Sequence, residues 1–370
     1  MTIRNRALRR AAAVAVALGL AAGAVACSPT SGNGDGSGSS ELTKVRFGLP
    51  SVMGANNSPL AVAVAGGYFE QEGLDVEIVN TTSASEGQAL MTGKVDIESA
   101  TPGPILQLQE SGQEFVMVYN YLRAPTGSIA VLEDSPIASL EDFAGTTIGA
   151  DALGSGNILL TDGILASVDL APGRDYEHLA VGVGAQAIHA LESGRVDALE
   201  LWDTEYAAIE ANGVPLRTFS SDSAEQLFST TYMTSRTYAD AHGDTIERFG
   251  RAMAQASLFT ATNPEAALTM MYGAFPETRI AGTAEEEQLA SDTIALQARL
   301  GILTAGDPAT EGTWGAYSPE AVAEWVSFAQ NSGVISTPLD AETLFTNEFS
   351  EAYNDFDDAE VIAEAEQWKP

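Results

Sequence analysis

From residue 44 onward, apolar runs of strand length alternate with amphipathic stretches of helical length. The runs at 44–49, 75–80, 95–99, 115–119, 147–150, 178–183 and 196–201 are short and apolar, which predicts strands. Between them, segments such as 59–72, 85–92 and 158–167 carry apolar residues at helical spacing. Beyond about residue 240 the pattern turns helical, at 244–262, 264–272, 284–300 and 319–332. Strands separated by helices make βαβ units with mainly parallel sheets, so the expected fold class is α/β.

One phrase occurs twice. Ala89-Leu90-Met91-Thr92-Gly93-Lys94-Val95-Asp96 returns as Ala190-Leu191-Glu192-Ser193-Gly194-Arg195-Val196-Asp197, displaced by 101 residues. Each copy reads as a helix stopped by glycine, a basic residue at the negative helix end, and a Val-Asp entry into a strand. The displacement matches the size of a compact lobe and is far longer than a solenoid period. Two α/β lobes with corresponding elements are therefore expected.

In open parallel sheets, ligands bind beyond the carboxyl ends of the strands, where helix N-termini present free N–H groups. The first strand leads into 50–59, a Gly-bearing loop with Asn56, Asn57 and Ser58 before Pro59, and the third leads into Thr101-Pro102. In the second lobe, 151–157 is a Gly-rich turn with Ser155 and Asn157, and the strand of the second repeat ends at Trp202-Asp203. These four loops, two per lobe, would face each other across a cleft. Trp202 could stack on a planar ligand or pack in the core. Asp203 could accept from a ligand N–H, and Arg123, near a lobe hinge, could pair an anion.

The first 26 residues read as an export signal: Arg4, Arg6, Arg9 and Arg10, then an uncharged stretch over 11–22, then small residues up to Cys27. The apolar stretch is short for a membrane span of about 20 residues. Arg9-Arg10 lacks the neighbours of a twin-arginine signal, so the general export route is expected. Residues 28–40 hold Ser, Gly, Pro, Asn, Thr and Asp with no large apolar residue, a flexible linker with a span of about 20 Å.

Charge narrows the partners. The 370-residue chain has 17 Lys plus Arg against 51 Asp plus Glu, a formal charge of −34, and losing residues 1–26 with their four Arg makes it −38. Such a chain repels a phosphate backbone and an anionic membrane alike, so nucleic acid is excluded and any membrane attachment must come from lipid. One cysteine and three scattered histidines leave no disulfide and no Cys- or His-based metal cage, and no cofactor is expected.

The stretches 67–78 and 139–149, the two Gly-basic-Val-Asp copies and Trp202 together resemble the solute-binding proteins of ABC importers for nitrate, sulfonates, taurine and thiamine-pyrimidine precursors, over roughly residues 44–236. Cys27 with its small-residue approach is similar to the lipobox of bacterial lipoproteins, in which that cysteine is lipidated. The resemblance implies a two-lobed periplasmic binding protein-like fold of type II, with a ligand cleft between lobes and a helical C-terminal part packed on the first lobe. On that plan, residues 1–26 are the signal peptide, 27–40 the lipidated cysteine and linker, 41–126 with 229–370 the first lobe, and 127–228 the second. The hinges would fall near 121–127 and Phe228. The implied role is a monomeric, lipid-anchored, extracytoplasmic component that closes on a small solute and delivers it to an ABC permease and its ATPase. Asn56, Asn57, Ser58, Thr101, Arg123, Ser155, Asn157, Trp202 and Asp203 are its candidate ligand-binding residues. With no Lys in the loops and only Arg123 nearby, a neutral or nitrogen-bearing planar solute is favoured over a sulfonate-like one.

Two rivals are weaker. Gly182-Val183-Gly184-Ala185-Gln186-Ala187 matches a dinucleotide fingerprint but lies in the middle of the second lobe, before a short helix. A pyrimidine-precursor synthase resembles these binders, but that class needs a Cys-rich segment and an active-site His, and Cys27 is committed to export. A non-transport surface lipoprotein has no feature of its own in the chain.

Overall fold

A computed structural model describes residues 42–305 and 312–370. The signal and linker read at residues 1–40, with Cys27, lie outside the described residues.

The described residues form two five-stranded sheets. In the first, β1 (Thr43–Leu49) runs parallel to β2 (Leu74–Asn80) and to β3 (Ile97–Ala100), so that Phe47 lies opposite Ile78 on one side and Ile97 on the other. The order is β2-β1-β3-β10-β4, with β10 (Thr231–Ser235) antiparallel to both β3 and β4 (Phe115–Asn120). β3 and β4 are buried along their whole length, covered on both faces; β4 accordingly reads as an apolar run over Phe115–Tyr119, whereas β3 buries Glu98 and Ser99 between Ile97 and Ala100. The second sheet has the order β7-β6-β8-β5-β9, built from β5 (Ile129–Leu132), β6 (Thr147–Ala150), β7 (Glu177–Ala180), β8 (Ala198–Glu200) and β9 (Leu216–Phe219). Here β6 is parallel to β7 and β8, and β5 is the reversed strand. Each sheet thus holds one strand against the grain, and each is the first strand after the chain crosses between sheets. The sequence pattern had not predicted β5, β9 or β10.

The repeated phrase does the same work in both sheets. Gly93 and Gly194 take φ of 65° and 67°, which reverses the chain after the preceding helix. Asp96 then accepts from the backbone N–H of Arg46 at 2.8 Å, and Asp197 accepts from the backbone N–H of Thr147 at 2.8 Å. Each aspartate pins its incoming strand to a strand that leads into the cleft.

Helices α1 (Ser58–Ala65), α2 (Tyr68–Gln71), α3 (Gln88–Met91) and α4 (Pro102–Glu110) lie between strands of the first sheet, and α5 (Gly156–Ala166), α6 (Ala185–Glu192) and α7 (Asp203–Ala211) between those of the second. The single helix expected over 59–72 is broken into α1 and α2 at Gly66-Gly67. The remainder is helical: α8 (Arg236–Ala241), α9 (Gly243–Thr262), α10 (Pro264–Ala274), α11 (Glu285–Leu303), α12 (Pro319–Asn331), α13 (Ser350–Tyr353) and α14 (Asp358–Gln367). α9 and α10 pack on α1, and α13 and α14 pack on α9, around a core in which Phe47 stacks on Phe249 at 5.3 Å and meets Tyr232 edge-on at 5.1 Å. Two C-terminal helices reach further. α11 lies along α7, and α12 contacts both α4 and α5, so the helical remainder also touches the second sheet's helices.

The two crossing segments are hydrogen-bonded to each other. Leu122 N–H donates to Thr230 O at 2.9 Å, Ser229 N–H donates to Leu122 O at 2.8 Å, and the Thr126 and Ser229 hydroxyls meet at 2.7 Å.

Candidate functional site

A cleft lies where the carboxyl ends of β1, β3, β6 and β8 converge. Asn56, Asn57, Thr101, Ser155, Asn157 and Trp202, all expected at a ligand site, line it. Asn57 shapes its own loop, its side-chain amide donating to Ser51 Oγ at 3.1 Å, and it stands at the N-cap of α1. Thr101, Ser155 and Trp202 occupy the N-cap positions of α4, α5 and α7 with extended backbones, so all three helices begin at the cleft.

Three expected residues are not brought to the cleft wall. Ser58 is fully buried as the first residue of α1, and its hydroxyl donates to Ala55 O at 2.9 Å, toward the core. The sequence locates the helix start but not the direction of that hydroxyl. Arg123 donates to Thr313 O and lies over the Trp314 ring, 5.9 Å from its centroid. Asp203 is turned onto Arg299 of α11, which donates from Nε at 2.9 Å and from a terminal nitrogen at 2.5 Å. Arg299, and not Arg123, is thus the guanidinium among the described residues lining the cleft. No local pattern announces it, because Arg299 follows β8 by nearly a hundred residues and reaches the cleft through the packing of α11 on α7.

Sequence reasoning also missed Glu86, Asp151 and Tyr121 as lining residues. Glu86 is buried, and its Oε2 accepts from Thr101 N–H at 2.8 Å and from Thr101 Oγ1 at 2.9 Å. Burial pushes its pKa up to about 8 and the charges of Glu98 and Asp151 add to the rise, against the lowering effect of the Thr101 bonds. Near pH 7 the carboxyl is therefore mostly protonated and can donate as well as accept. Glu98 beneath it is fully buried, its pKa likewise raised by burial, and it accepts from Gly87 N–H at 3.0 Å.

The two lobes touch in the cleft. Ser83 Oγ, after β2, donates to Asp151 Oδ2, after β6, at 2.8 Å. Gly156 faces Thr101 so closely that a Cβ there would lie 1.7 Å from Thr101 Oγ1, so only glycine fits. Around these contacts, Tyr121 OH, Ser155 Oγ, Trp202 Nε1 and Asp151 Oδ1 are buried without a hydrogen-bond partner. Buried polar groups are normally paired, and four orphans in one cleft mark a place shaped for a polar guest. Trp202 offers a half-exposed ring with a donor at its edge.

His178, His189 and His242 do not line this cleft. His178 sits in the second lobe, its Nδ1 2.7 Å from Glu200 and its Nε2 2.8 Å from Asp162. Among the described residues no cluster of three His, Cys, Asp or Glu side chains could hold a metal ion, and no helix is long and apolar enough to cross a membrane.

Comparison with solved structures identifies the architecture. The alkanesulfonate-binding protein SsuA from Xanthomonas axonopodis pv. citri, solved bound to MOPS, superposes with a TM-score of 0.63 at 19% identity, over 83% of this chain and 99% of that one. The fold is that of periplasmic binding proteins. In sequence, the chain is 24% identical over 294 residues to the formylaminopyrimidine-binding protein of Halalkalibacterium halodurans, which spans 78% of this chain and 85% of the relative. It is 27% identical over 140 residues to the 4-amino-5-hydroxymethyl-2-methylpyrimidine phosphate synthase of Schizosaccharomyces pombe, 38% of this chain and 39% of that enzyme. The family described as NMT1/THI5 like matches residues 55–267, more than half of the length, and the chain belongs to that family.

Proposed function

We propose that this chain is the extracytoplasmic solute-binding component of an ABC importer, and that its solute is a small planar molecule with N–H donors, of the aminopyrimidine kind. The cleft's acceptors carry this reading. Asp151 Oδ1 is buried and unpaired, Glu86 lies beside it, and the guanidinium that could hold an anion is already engaged by Asp203. A ring lying on Trp202 could donate to Asp151 and Glu86 while accepting from Ser155, Tyr121 or the Trp202 N–H. The similarity to a formylaminopyrimidine-binding protein supports the same chemistry.

The rest of the reading follows the family. Residues 41–126 with 229–370 and residues 127–228 act as two lobes hinged at the paired crossings, which close on the solute and present it to a permease and its ATPase. A signal over 1–26, a lipid on Cys27 and the linker to residue 40 would hold a monomer at the outer face of the membrane. Thermal-shift and calorimetric titration of the purified protein with aminopyrimidines, ethanesulfonate and nitrate tests the ligand class. A true ligand at 100 times its Kd should add about 2.7 kcal/mol of stability. Stabilisation by ethanesulfonate or nitrate alone would overturn the N–H-donor reading. The likeness to a synthase keeps a catalytic reading in view, and turnover of the stabilising compound would establish it.

A further inference from the structure

Arg299 and Asp203 come from different parts of the molecule. Arg299 belongs to α11, which packs on α10 beside the first sheet, and Asp203 is the first residue of α7 in the second lobe. Their side chains are 5% and 10% exposed. The pairing uses both arms of the guanidinium edge, Nε to Oδ2 at 2.9 Å and a terminal nitrogen to Oδ1 at 2.5 Å. This two-donor fork is the geometry with which arginine holds a carboxylate, sulfonate or phosphate group. The Asp203 carboxylate therefore occupies the position that two oxygens of a bound anion would take.

Two further donors belong to the same cleft. Tyr121 OH and Trp202 Nε1 line the same cleft as Arg299, and both are buried without partners. Burial keeps the Tyr121 hydroxyl protonated, and the next influences on it are Arg299, which lowers its pKa, and Asp203, which raises it. Asp203 removed from the picture, three donors of an anion site would remain, one of them a guanidinium.

We propose that Asp203 is a built-in anion that sets the charge selectivity of the cleft: by filling the fork of Arg299 it withholds that cation from sulfonate- or carboxylate-bearing solutes and leaves selection to Glu86 and Asp151. An incoming anion would have to displace Asp203 and strand a nearly buried carboxylate without its partner, which is strongly unfavourable. Selectivity then arises from what the protein refuses as much as from what it holds. The inference rests on the solute-binding reading above and deepens it by naming the residue pair that excludes anions.

The test is calorimetric titration of ethanesulfonate into the wild type, Asp203→Asn, and the double variant Asp203→Asn with Arg299→Gln. Asp203→Asn should bind ethanesulfonate at least about tenfold more tightly than the wild type, a difference of about 1.4 kcal/mol, and the double variant should lose that gain. Equal binding by the wild type, no gain in Asp203→Asn, or a gain that persists in the double variant would each overturn the proposal. If Asp203→Asn gives no cooperative melt, the wild type carries the test. Its Arg299 Nε–H resonance should stay slowly exchanging and unshifted as ethanesulfonate is added, and a saturable shift would overturn the proposal. A parallel titration of the wild type with 4-aminopyrimidine separates the two claims. Failure there, with the anion gain intact in the variant, would remove the N–H-donor reading and leave the role of Asp203 standing.

Discussion

The His178 cluster yields a prediction about stability with its sign fixed by the structure. His178 is wedged between two carboxylates, Glu200 at 2.7 Å and Asp162 at 2.8 Å, with Tyr176 OH donating to the same Asp162 oxygen at 2.7 Å. Burial alone would lower the pKa of the imidazole, but the two carboxylates outweigh it and raise it from 6.5 to about 9. A pKa raised on folding means that the native state binds the proton more tightly than the unfolded chain does, so protonation favours the fold. The contribution is fully present below pH 6.5 and is lost as pH rises through 9. At about 1.4 kcal/mol per pH unit, the shift is worth about 3 kcal/mol. Urea unfolding of the wild type and of His178→Gln at pH 6, 7, 8, 9 and 10 measures it. The wild type should lose stability over the upper part of that range by a margin that His178→Gln does not show. At pH 7 the variant should be less stable by about 3 kcal/mol, since Glu200, fully buried, is left with no cation. A wild-type curve flat from pH 7 to 10, or parallel curves for the two proteins, would refute the reasoning.

Three further outcomes are expected. Gly156→Ala places a methyl group 1.7 Å from Thr101 Oγ1 and should weaken solute binding by about 1–3 kcal/mol while circular dichroism stays unchanged, because the lobes can no longer approach at that point; unaltered affinity would show that this contact is not part of the bound form. Trp202→Ala should weaken binding about tenfold or more with the unliganded protein still folded, and loss of folding would assign the ring to the core instead. Cys27→Ala should move the protein from the membrane fraction to the soluble one, and continued membrane association would remove the lipid-anchor reading.

Much of the first sheet and of the cleft rim was legible because the informative residues are local. A Gly-basic-Val-Asp junction specifies a helix stop and a strand entry within four residues, and its recurrence located corresponding strands of the two sheets. Hydroxyl and amide residues before a helix start identified Thr101, Ser155 and Asn57 in the same way. The strands that escaped, β5, β9 and β10, are four or five residues long, and Thr231-Tyr232-Met233-Thr234-Ser235 is mostly polar by composition. That strand is held by pairing on both sides, with Tyr232 opposite Ser99 and Tyr119, which no short window of sequence contains. Ser58 and Asp203 show a related limit. Their positions at helix starts were readable, but the choice between facing the cleft and facing a partner was made by Ala55 in one case and by distant Arg299 in the other. Glu86 lies beyond a second strand whose following loop carries no hydroxyl-proline cap, so nothing local drew attention to a carboxyl kept protonated by its surroundings.

The two connecting strands between the halves end in the interior of their sheets, β5 between β8 and β9 and β10 between β3 and β4. A tether fastened to an outermost strand would peel away one hydrogen bond at a time. Fastened between two neighbours, it can be drawn out only by shearing a row of bonds on each flank together. Each crossing leaves an edge strand, β4 or β9, and enters the interior of the other sheet, so each half holds one end of the joint by an interior strand and the other by the edge strand hydrogen-bonded beside it, and flexing at 121–128 and 220–230 is shared between the two members of that pair.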